Sequence, residues 1–321
     1  MGERAARARK GGICVKILLT GGSGFLGSHI VEPLLDLGQE VVVFDRICPG
    51  KIEHRLEEIE FVHGDVKCFE DCVRAVRDVN AVIHLAALIN VDHSIKDPLE
   101  FYEVNTRGTM NLLEAARHEP VLDRFVYMST AEVYGTSDAP LKETDLCDAR
   151  SPYAASKFAA ERYCLSYYYT YGLPETTIIR GFNIYGPRQA YGPKGAVIAI
   201  FTNLALMEKS LMIYGDGTQS RDYIYVEDVA SGVIKAMLTR GLGGEIINLA
   251  SGKTVSINQI AELVLRRVGS TGLIEHTEAR PGEVHKNCGD PSKAERILGW
   301  KPIVDFDEGI GRTVEYFRNK G

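Results

Sequence analysis

The sequence of 321 residues contains no Cys-x-x-Cys pair, no His-x-x-x-His pair and no apolar run long enough to cross a membrane. Its seven cysteines are an odd number without the spacing of a disulfide framework, a pattern typical of reduced thiols in the cytoplasm. Because the histidines are scattered as well, we expect no bound metal, no membrane partner and a cytoplasmic location.

An excess of basic residues is also missing, because the formal net charge is −6. The first ten residues are rich in arginine, but they lack the apolar core of a signal peptide. We therefore predict a flexible N-terminal extension over residues 1–12 and no nucleic-acid partner. The overall composition, 45% hydrophobic and 25% charged, is typical of a globular protein.

A glycine-rich segment follows the first predicted strand, which covers residues 15–19. It reads Thr-Gly-Gly-Ser-Gly-Phe-Leu-Gly-Ser and leads into an apolar helical pattern. Its glycines are Gly21, Gly22, Gly24 and Gly27, and they fit both G-x-G-x-x-G and G-x-x-G-x-x-G. A strand, a glycine turn and a helix in this order predict a dinucleotide site, with the pyrophosphate at the helix N-terminus.

The second predicted strand ends at Asp45, 18 residues after Gly27. An acid about 20 residues beyond the glycines binds the ribose hydroxyls and repels a 2′-phosphate. The sequence therefore favours NAD over NADP as the cofactor, although Arg46 is adjacent. Pro33 lies inside the first predicted helix, where it should cause a kink.

Strands and helices alternate through the first half of the chain. Strand patterns recur at 15–19, 40–44, 59–63, 80–85 and 124–129, and helical patterns include 98–117 and 153–171. This alternation predicts the α/β class, with a Rossmann-type doubly wound parallel sheet. Later patterns are less regular, with helices near 196–208, 226–239, 256–268 and 306–318 and strands at 211–214 and 245–249. We predict a dinucleotide-binding domain at 13–180 and a smaller α/β substrate domain at 181–321, with segments interleaved.

Tyr153 and Lys157 are four residues apart on a predicted helix, so their side chains share one face. A lysine ammonium there favours the phenolate of Tyr153, whose reference pKa is about 10. Such a tyrosine can exchange a proton with a sugar hydroxyl near neutral pH. Thr130 ends the fifth predicted strand, where its hydroxyl could bond the same substrate oxygen.

These motifs, together with Gly64-Asp65-Val66, His84-Leu85-Ala86-Ala87 and Arg180-Gly181-Phe182-Asn183-Ile184-Tyr185-Gly186-Pro187-Arg188, resemble an extended short-chain dehydrogenase/reductase. Within that family the chain is most similar to the nucleotide-sugar epimerases and dehydratases, and in particular to UDP-glucose 4-epimerases. The resemblance runs from about residue 15 to the C-terminus.

The resemblance implies a role for many residues. The cofactor would meet Gly21, Gly24, Phe25, Leu26, Gly27, Asp45, Asp65, Val66, Leu85, Ala86, Ala87, Asn105, Ser129, Tyr153 and Lys157. The UDP-sugar would meet Thr130, Asn183, Val197, Tyr214, Arg221, Arg280 and Asn287. Arginine also suits a diphosphate on chemical grounds, because its guanidinium fork makes bidentate contacts.

The implied reaction is an oxidation and a reduction within one turnover. Tyr153 takes the proton of the hydroxyl on carbon 4 while hydride passes to NAD⁺. The 4-keto sugar then turns, and hydride returns to its opposite face. The cofactor should therefore stay bound.

The outcome of the reaction depends on the residues after Thr130. Related 4,6-dehydratases have an acid and then a base there, whereas this chain has Ala131 and Glu132. Ala131 cannot donate a proton, which favours epimerisation. Glu132 leaves a UDP-glucuronate decarboxylase or an unusual dehydratase open as alternatives. A 4-ketosugar reductase and a non-catalytic NAD-binding protein are less favoured readings.

Two further features concern sugar choice and assembly. Asn287 aligns with a position that controls pocket size in the epimerases, so its small side chain suggests that N-acetylated sugars are accepted. Helices 98–117 and 153–171 carry more apolar and aromatic residues than one buried stripe requires, including Tyr163, Tyr167, Tyr168 and Tyr171. We predict a homodimer through these helices.

Overall fold

A computed structural model describes residues 14–48, 50–192, 195–279 and 286–320. The predicted N-terminal extension at 1–12 and the predicted ligand residue Arg280 lie outside the described residues. All seven cysteines are described, and none forms a disulfide.

The described residues form thirteen strands and eleven α-helices. The strands are β1 (Lys16–Thr20), β2 (Glu40–Asp45), β3 (Glu60–His63), β4 (Ala81–His84), β5 (Arg124–Thr130), β6 (Glu175–Gly181), β7 (Asn183–Tyr185), β8 (Leu211–Tyr214), β9 (Ser220–Tyr225), β10 (Ile246–Leu249), β11 (Thr254–Ser256), β12 (Ile274–Thr277) and β13 (Lys286–Asn287). The helices are α1 (Phe25–Asp36), α2 (Phe69–Ala75), α3 (Val91–Lys96), α4 (Pro98–Phe101), α5 (Gly108–Ala116), α6 (Pro152–Tyr171), α7 (Val197–Leu206), α8 (Val226–Leu238), α9 (Ile257–Val268), α10 (Ser292–Leu298) and α11 (Phe306–Lys320). Short 3-10 segments cover Gly50–Glu58 and Ala131–Tyr134.

The largest sheet has seven strands in the order β10-β6-β5-β4-β1-β2-β3. The part β3-β2-β1-β4-β5-β6 is the strand order of a doubly wound dinucleotide-binding fold. β1 pairs in parallel with β2 and β4, and all of β4 is buried. A parallel sheet covered on both faces requires such continuous apolar strands. The predicted α/β class and parallel sheet are therefore confirmed.

The predicted helix 98–117 is a continuous helical stretch with an irregular middle. α4 and α5 flank a π-helical segment, Tyr102–Arg107, and the stretch ends at Ala116. A π turn widens the helix locally and is frequent at functional sites. Here it contains Asn105, one of the predicted cofactor residues.

α6 has defined signals at both ends. The Ser151 hydroxyl accepts a hydrogen bond from the amide of Ala154, and Pro152 occupies the first turn. Gly172 ends the helix with φ +65°, a conformation that glycine adopts without strain. These signals fix the start of α6 just before Tyr153.

Pro33 lies inside α1, and the predicted kink there stays a prediction. α1 continues through this proline to Asp36, so the ring lies in the last turn rather than at a break. The amide of Leu37 donates to the Pro33 carbonyl and closes the helix. Hence the proline does not terminate α1.

The chain forms two compact units. The first comprises the described parts of Met1–Ser129, Ser151–Ile179 and Val233–Ile246, and the second those of Thr130–Arg150, Arg180–Gly232 and Ile247–Gly321. These units differ from a single boundary at residue 180, because Thr130–Arg150 groups with the later residues. That residues 13–180 bind the dinucleotide and residues 181–321 bind the substrate stays a prediction.

Each unit has its own apolar core. In the first, residues of the central sheet such as Leu18 and Phe125 pack with Leu112 and Leu113 of α5. In the second, α7, α9 and α11 pack together, and smaller sheets join β11, β9, β13 and β7, and β8 and β12. No helix in the described part of the chain is long and apolar enough to cross a membrane, and the cytoplasmic location stays a prediction.

Candidate active site

The glycine-rich segment joins β1 to α1 in a turn without room for side chains. Gly21 has φ +70°, and a Cβ there would lie 2.9 Å from the amide nitrogen of Ala86. A Cβ on Gly27 would overlap the Gly21 carbonyl oxygen and lie 2.6 Å from Gly22 Cα. Glycine is therefore required by the fold at both positions. Gly24 caps the helix, and the predicted cofactor residues Phe25 and Leu26 begin it.

Polar groups around this turn fit a dinucleotide. The Asp45 carboxylate accepts hydrogen bonds from the amides of Ser23 and Ile47, both at 3.1 Å. The buried Ser23 hydroxyl has no hydrogen-bond partner within the described ranges. A buried hydroxyl without a partner costs free energy, so it suits a ligand oxygen. α1 also has no acidic side chain in its first turn, which leaves its N-terminus suited to an anion.

Asp65 and Val66 follow β3. The Asp65 carboxylate pairs with the Arg46 guanidinium at 3.3 Å, so Arg46 has a carboxylate partner. The Val66 carbonyl accepts a hydrogen bond of 2.9 Å from the Asn111 side chain. Asn111, which lies in α5, therefore holds the loop at Asp65 and Val66 in place. No sequence motif indicated this contact.

Asn105, a predicted cofactor residue, bonds protein groups on two sides. Its side chain accepts from the amide of Leu88 at 2.7 Å and donates to the Leu88 carbonyl at 2.9 Å. It also donates to the Ser156 hydroxyl at 3.0 Å, and Ser156 in turn donates to the Tyr153 carbonyl. Asn105 thus ties the segment after Leu85, Ala86 and Ala87 to the first turn of α6.

Tyr153 and Lys157 lie on the buried face of α6. Tyr153 is 8% exposed, and its ring meets the Phe101 ring edge-on with centroids 6.3 Å apart. The Lys157 ammonium lies 4.3 Å from the centroid of the buried Tyr127 ring. Burial lowers the pKa of Lys157 to about 7, while the neighbouring Cys164 and Glu161 oppose this shift. Tyr153 and Lys157 are four residues apart in α6 and both are buried, which confirms that they share one helix face.

Ser129, another predicted cofactor residue, donates its hydroxyl to the Glu161 carboxylate at 2.9 Å. Glu161 is fully buried one turn after Lys157. The structure therefore adds a buried carboxylate to the Tyr153 helix face, which the sequence motif did not include.

We expect Lys157→Met to stabilise the cofactor-free protein. A lysine with a folded pKa near 7 and an unfolded pKa near 10.5 binds fewer protons when folded between these pH values. The free energy of unfolding of the natural protein should therefore rise with pH across this window, and the variant should lack this contribution. The advantage of the variant over the natural protein should therefore be larger at pH 6 than at pH 10, by an amount on the order of 4 kcal/mol.

Urea unfolding of both proteins at pH 6 and at pH 10 measures the effect. A stability difference that is the same at both pH values would contradict the prediction. Lys16→Met is the matched control, because Lys16 pairs with Glu60 at the surface.

In the second unit, Thr130 caps the short 3-10 segment after β5. Its hydroxyl accepts a hydrogen bond from the amide of Glu132 at 3.2 Å and is 8% exposed as a residue. Ala131 is buried, whereas Glu132 is half-buried. The three residues are therefore held in one tight turn.

Three predicted ligand residues lie on paired strands of a sheet in the second unit, and the Asn183 side chain donates to the Asp222 carbonyl at 2.9 Å. Asn287 of β13 pairs with Arg221 of β9, and Asn183 of β7 pairs with Tyr223, two residues further along β9. Parallel partners share a face, and so do alternate residues of a strand. The Asn287 side-chain oxygen is buried without a hydrogen-bond partner among the described residues.

Two further predicted ligand residues of the second unit lie on other elements. Val197 begins α7, and Tyr214 ends β8 with a partly exposed side chain. No group of three or more histidine, cysteine, aspartate or glutamate side chains in the described ranges is arranged to hold a metal ion.

Comparisons with known proteins agree with the fold. The family model described as GDP-mannose 4,6 dehydratase matches residues 18–313. The chain is 36% identical to a UDP-glucose 4-epimerase of Mycolicibacterium smegmatis, over 95% of this chain and 99% of the relative. It is 33% identical to a UDP-N-acetyl-alpha-D-glucosaminuronate decarboxylase of Bacillus cytotoxicus, over 94% of this chain and 98% of the relative.

A solved structure shows the same architecture. The UDP-glucose 4-epimerase of Thermus thermophilus, crystallised with NAD, has a TM-score of 0.88 and 36% identity, covering 95% of this chain and 100% of that chain. The resemblance inferred from the motifs is confirmed. The chain belongs to the extended short-chain dehydrogenase/reductase family, among its nucleotide-sugar epimerases and dehydratases.

Proposed function

We propose that this protein is an NAD-dependent epimerase that inverts carbon 4 of a UDP-hexose, with UDP-glucose and UDP-galactose as the pair. The proposal is supported by the buried Tyr153 and Lys157 on one face of α6 and by the family. The epimerase relatives favour this reaction, although relatives with other reaction names have similar identity.

NAD would be held by the glycine turn, the α1 N-terminus and Asp45. The Ser23 hydroxyl and the amides at the start of α1 would take pyrophosphate oxygens, and Asp45 would accept from the ribose hydroxyls. When bound, NAD supplies the acceptor and later the donor of the hydride. Asp45 beside the turn also disfavours a 2′-phosphate by charge repulsion.

The protein's own groups would move the proton. Lys157 in its charged form favours the Tyr153 phenolate, which accepts the proton from the carbon-4 hydroxyl and later returns it. Thr130 would hydrogen-bond that hydroxyl. Asn183, Arg221 and Asn287 would hold the nucleotide sugar, together with Val197 and Tyr214.

Ala131 is the observation that favours epimerisation over 4,6-dehydration. Dehydration requires a proton donor for the departing hydroxyl of carbon 6, and a buried methyl group at this position offers none. Epimerisation requires no such donor, since the second half-reaction returns the proton that Tyr153 has taken.

A second candidate, decarboxylation of a UDP-uronic acid, is favoured by Glu132 and by the decarboxylase relative. Glu132 is held next to Thr130 through its own amide. Decarboxylation also needs no acid at residue 131. We rank it second, because it requires a uronate, whereas proton transfer by Tyr153 and Lys157 would require only a carbon-4 hydroxyl.

Incubation of the purified protein with UDP-glucose, UDP-glucuronate and UDP-N-acetylglucosamine in separate reactions tests the proposal. NMR of the products should show UDP-galactose without net NADH. Carbon dioxide and a pentose product from UDP-glucuronate would favour the decarboxylase. With NAD⁺ added, steady net formation of NADH from a sugar would indicate a ketosugar reductase running in reverse. No product from any sugar would favour a non-catalytic NAD-binding protein.

The same experiment tests sugar choice. The buried Asn287 oxygen has no hydrogen-bond partner in the part of the chain that the structure describes, and we infer that it bonds the substrate at the sugar. Since asparagine is small, UDP-N-acetylglucosamine should also turn over. A rate below about a hundredth of that for UDP-glucose, a loss of roughly 3 kcal/mol in transition-state stabilisation, would refute this specificity.

We also propose a homodimer through residues 98–117 and 153–171, which the structure forms as α4 to α6. The first unit exposes apolar side chains there, with Leu99 at 74%, Tyr102 at 49% and Tyr169 at 70% exposure. Tyr167 has an internal partner, because its hydroxyl donates to Glu114. Light scattering should give about twice the chain mass of 35.4 kDa. A single 35.4 kDa species at micromolar concentration would refute the dimer.

A further inference from the structure

His84, the last residue of β4, is a fully buried side chain that the proposed mechanism does not use. Both of its ring nitrogens meet threonine hydroxyls. Nδ1 lies 2.6 Å from the Thr20 hydroxyl at the end of β1, and Nε2 lies 2.9 Å from the Thr109 hydroxyl in α5. The imidazole therefore bridges a strand end and a helix.

The direction of the first bond follows from the other partners of Thr20. Its hydroxyl oxygen accepts from the amide of Ala86 at 3.1 Å and from the amide of Leu85 at 3.2 Å, which the Thr20 backbone carbonyl shares at the same distance. Both lone pairs are then occupied, so the hydroxyl proton must be donated. The acceptor is Nδ1 of His84.

The second bond runs the other way. The Thr109 hydroxyl donates its proton to the Asn105 carbonyl at 2.6 Å, so its oxygen accepts from His84 Nε2–H. A neutral imidazole with its proton on Nε2 satisfies every bond in the chain. A charged imidazolium would present a third donor to Thr20 and leave the Thr20 proton without an acceptor.

The surroundings agree with a neutral ring. The imidazole packs against Tyr127 and Phe125, with centroids 5.6 and 6.2 Å away. Burial, and secondarily the charge of Lys157, lowers the pKa of His84 to about 3. The ring therefore keeps one fixed set of bonds at neutral pH.

The Leu85 and Ala86 amides, which donate to Thr20, belong to the segment that is predicted to contact the cofactor. Thr20 opens the glycine turn, and Ala86 lies against Gly21 so closely that a Cβ on Gly21 would be 3.0 Å from Ala86 Cα. The Thr20 hydroxyl holds these two segments together, and His84 fixes that hydroxyl.

We propose that His84 is a positioning residue for the dinucleotide, which sets the spacing between the glycine turn and the Leu85–Ala86 backbone through Thr20 and Thr109. It does not touch the cofactor. The inference rests on the proposed NAD binding but not on the identity of the sugar. Loss of either threonine hydroxyl should therefore weaken cofactor retention rather than the proton transfer.

Thr109→Val removes the acceptor of His84 Nε2–H with little change of shape. Thr313→Val is the matched control, because Thr313 is also fully buried in a helix and donates to the carbonyl of Gly309, four residues earlier. Both variants should lower the melting temperature. Release of bound radiolabelled NAD⁺ into excess unlabelled NAD⁺ should be roughly 10-fold to 100-fold faster in Thr109→Val alone.

His84→Leu and His84→Gln test the ring itself. The leucine variant should release NAD⁺ as fast as Thr109→Val or faster, whereas the glutamine variant, with one acceptor and one donor, should recover part of the retention. With saturating NAD⁺ the kcat of each variant should return to within about threefold of the natural value, less than the 100-fold or greater loss of a removed acid–base group. Equal release rates in Thr109→Val and Thr313→Val would overturn the proposal.

If Thr109→Val does not fold, Thr20→Val decides the matter, since it removes the hydroxyl on the other side of the ring. A normal release rate in Thr20→Val would likewise overturn the proposal. If no sugar turns over while the variants still release NAD⁺ faster, the proposed epimerase activity fails and the role of His84 stands.

Discussion

Tyr153→Phe should lower kcat for UDP-glucose by about 1,000-fold, with a small change in KM. The variant loses one oxygen atom and keeps the ring that packs against Phe101, so the helix face is preserved. General acid–base catalysis contributes about 100-fold to 10,000-fold. The other phenol beside Lys157, that of Tyr127 in β5, is fully buried. Conversion of UDP-glucose to UDP-galactose, followed under initial-rate conditions, measures the effect.

Tyr167→Phe is the control on the same helix. Tyr167 loses one hydrogen bond to Glu114 at 3.1 Å, and we assign it no contact with the reacting atoms. Its turnover should stay within about twofold of the natural enzyme, because a single partly exposed hydrogen bond contributes only about 1 kcal/mol to stability. Turnover that persists undiminished in Tyr153→Phe would refute the assignment of the proton carrier.

Gly27→Ala should abolish cofactor retention and lower the free energy of unfolding. The added Cβ would overlap the Gly21 carbonyl and lie 2.8 Å from the Gly22 carbonyl, and these are backbone atoms that cannot rotate away. The turn must open, which moves the amides that would hold the pyrophosphate. Forced repacking of this kind costs about 1–3 kcal/mol.

Two measurements are needed, the NAD content after gel filtration and the urea midpoint. Gly311→Ala serves as the matched control, because a Cβ at Gly311 in α11 would meet nothing closer than the Arg267 guanidinium at 3.8 Å. That control should gain up to about 1 kcal/mol of stability from helix propensity. A Gly27→Ala protein with full NAD content would contradict the close-packed turn.

The first unit could be predicted from local sequence because its signals are local. The buried strands β1 and β2 are runs of branched apolar residues, and the ends of α6 are marked by Ser151, Pro152 and Gly172. Tyr153 and Lys157 share a face through helix periodicity alone. These features need no knowledge of distant parts of the chain.

The second unit was harder because its strands contain buried polar groups with distant partners. β9 begins Ser-Arg-Asp, which does not resemble a buried strand. Asp222 is fully buried there, because the amides of Ser251, Gly252 and Gly289 donate to its carboxylate. β6 of the central sheet was also missed; it crosses from the first unit into the second and carries the buried Arg180. No local pattern reveals such partners.

The bonds of His84 and Asn105 were also beyond sequence reasoning. The sequence placed His84 at a strand end, but the direction of its hydrogen bonds depends on hydroxyls contributed by β1 and α5. Likewise, the π-helical turn around Asn105 is not a feature of any local propensity. Both are tertiary arrangements.

The chain passes between its two units five times. No single cut can release either unit as a contiguous fragment, so a proteolytic nick or a truncation near residue 180 should yield two incomplete pieces. The exchange of one contiguous terminal stretch would replace only part of the second unit, because its residues come from three separate segments.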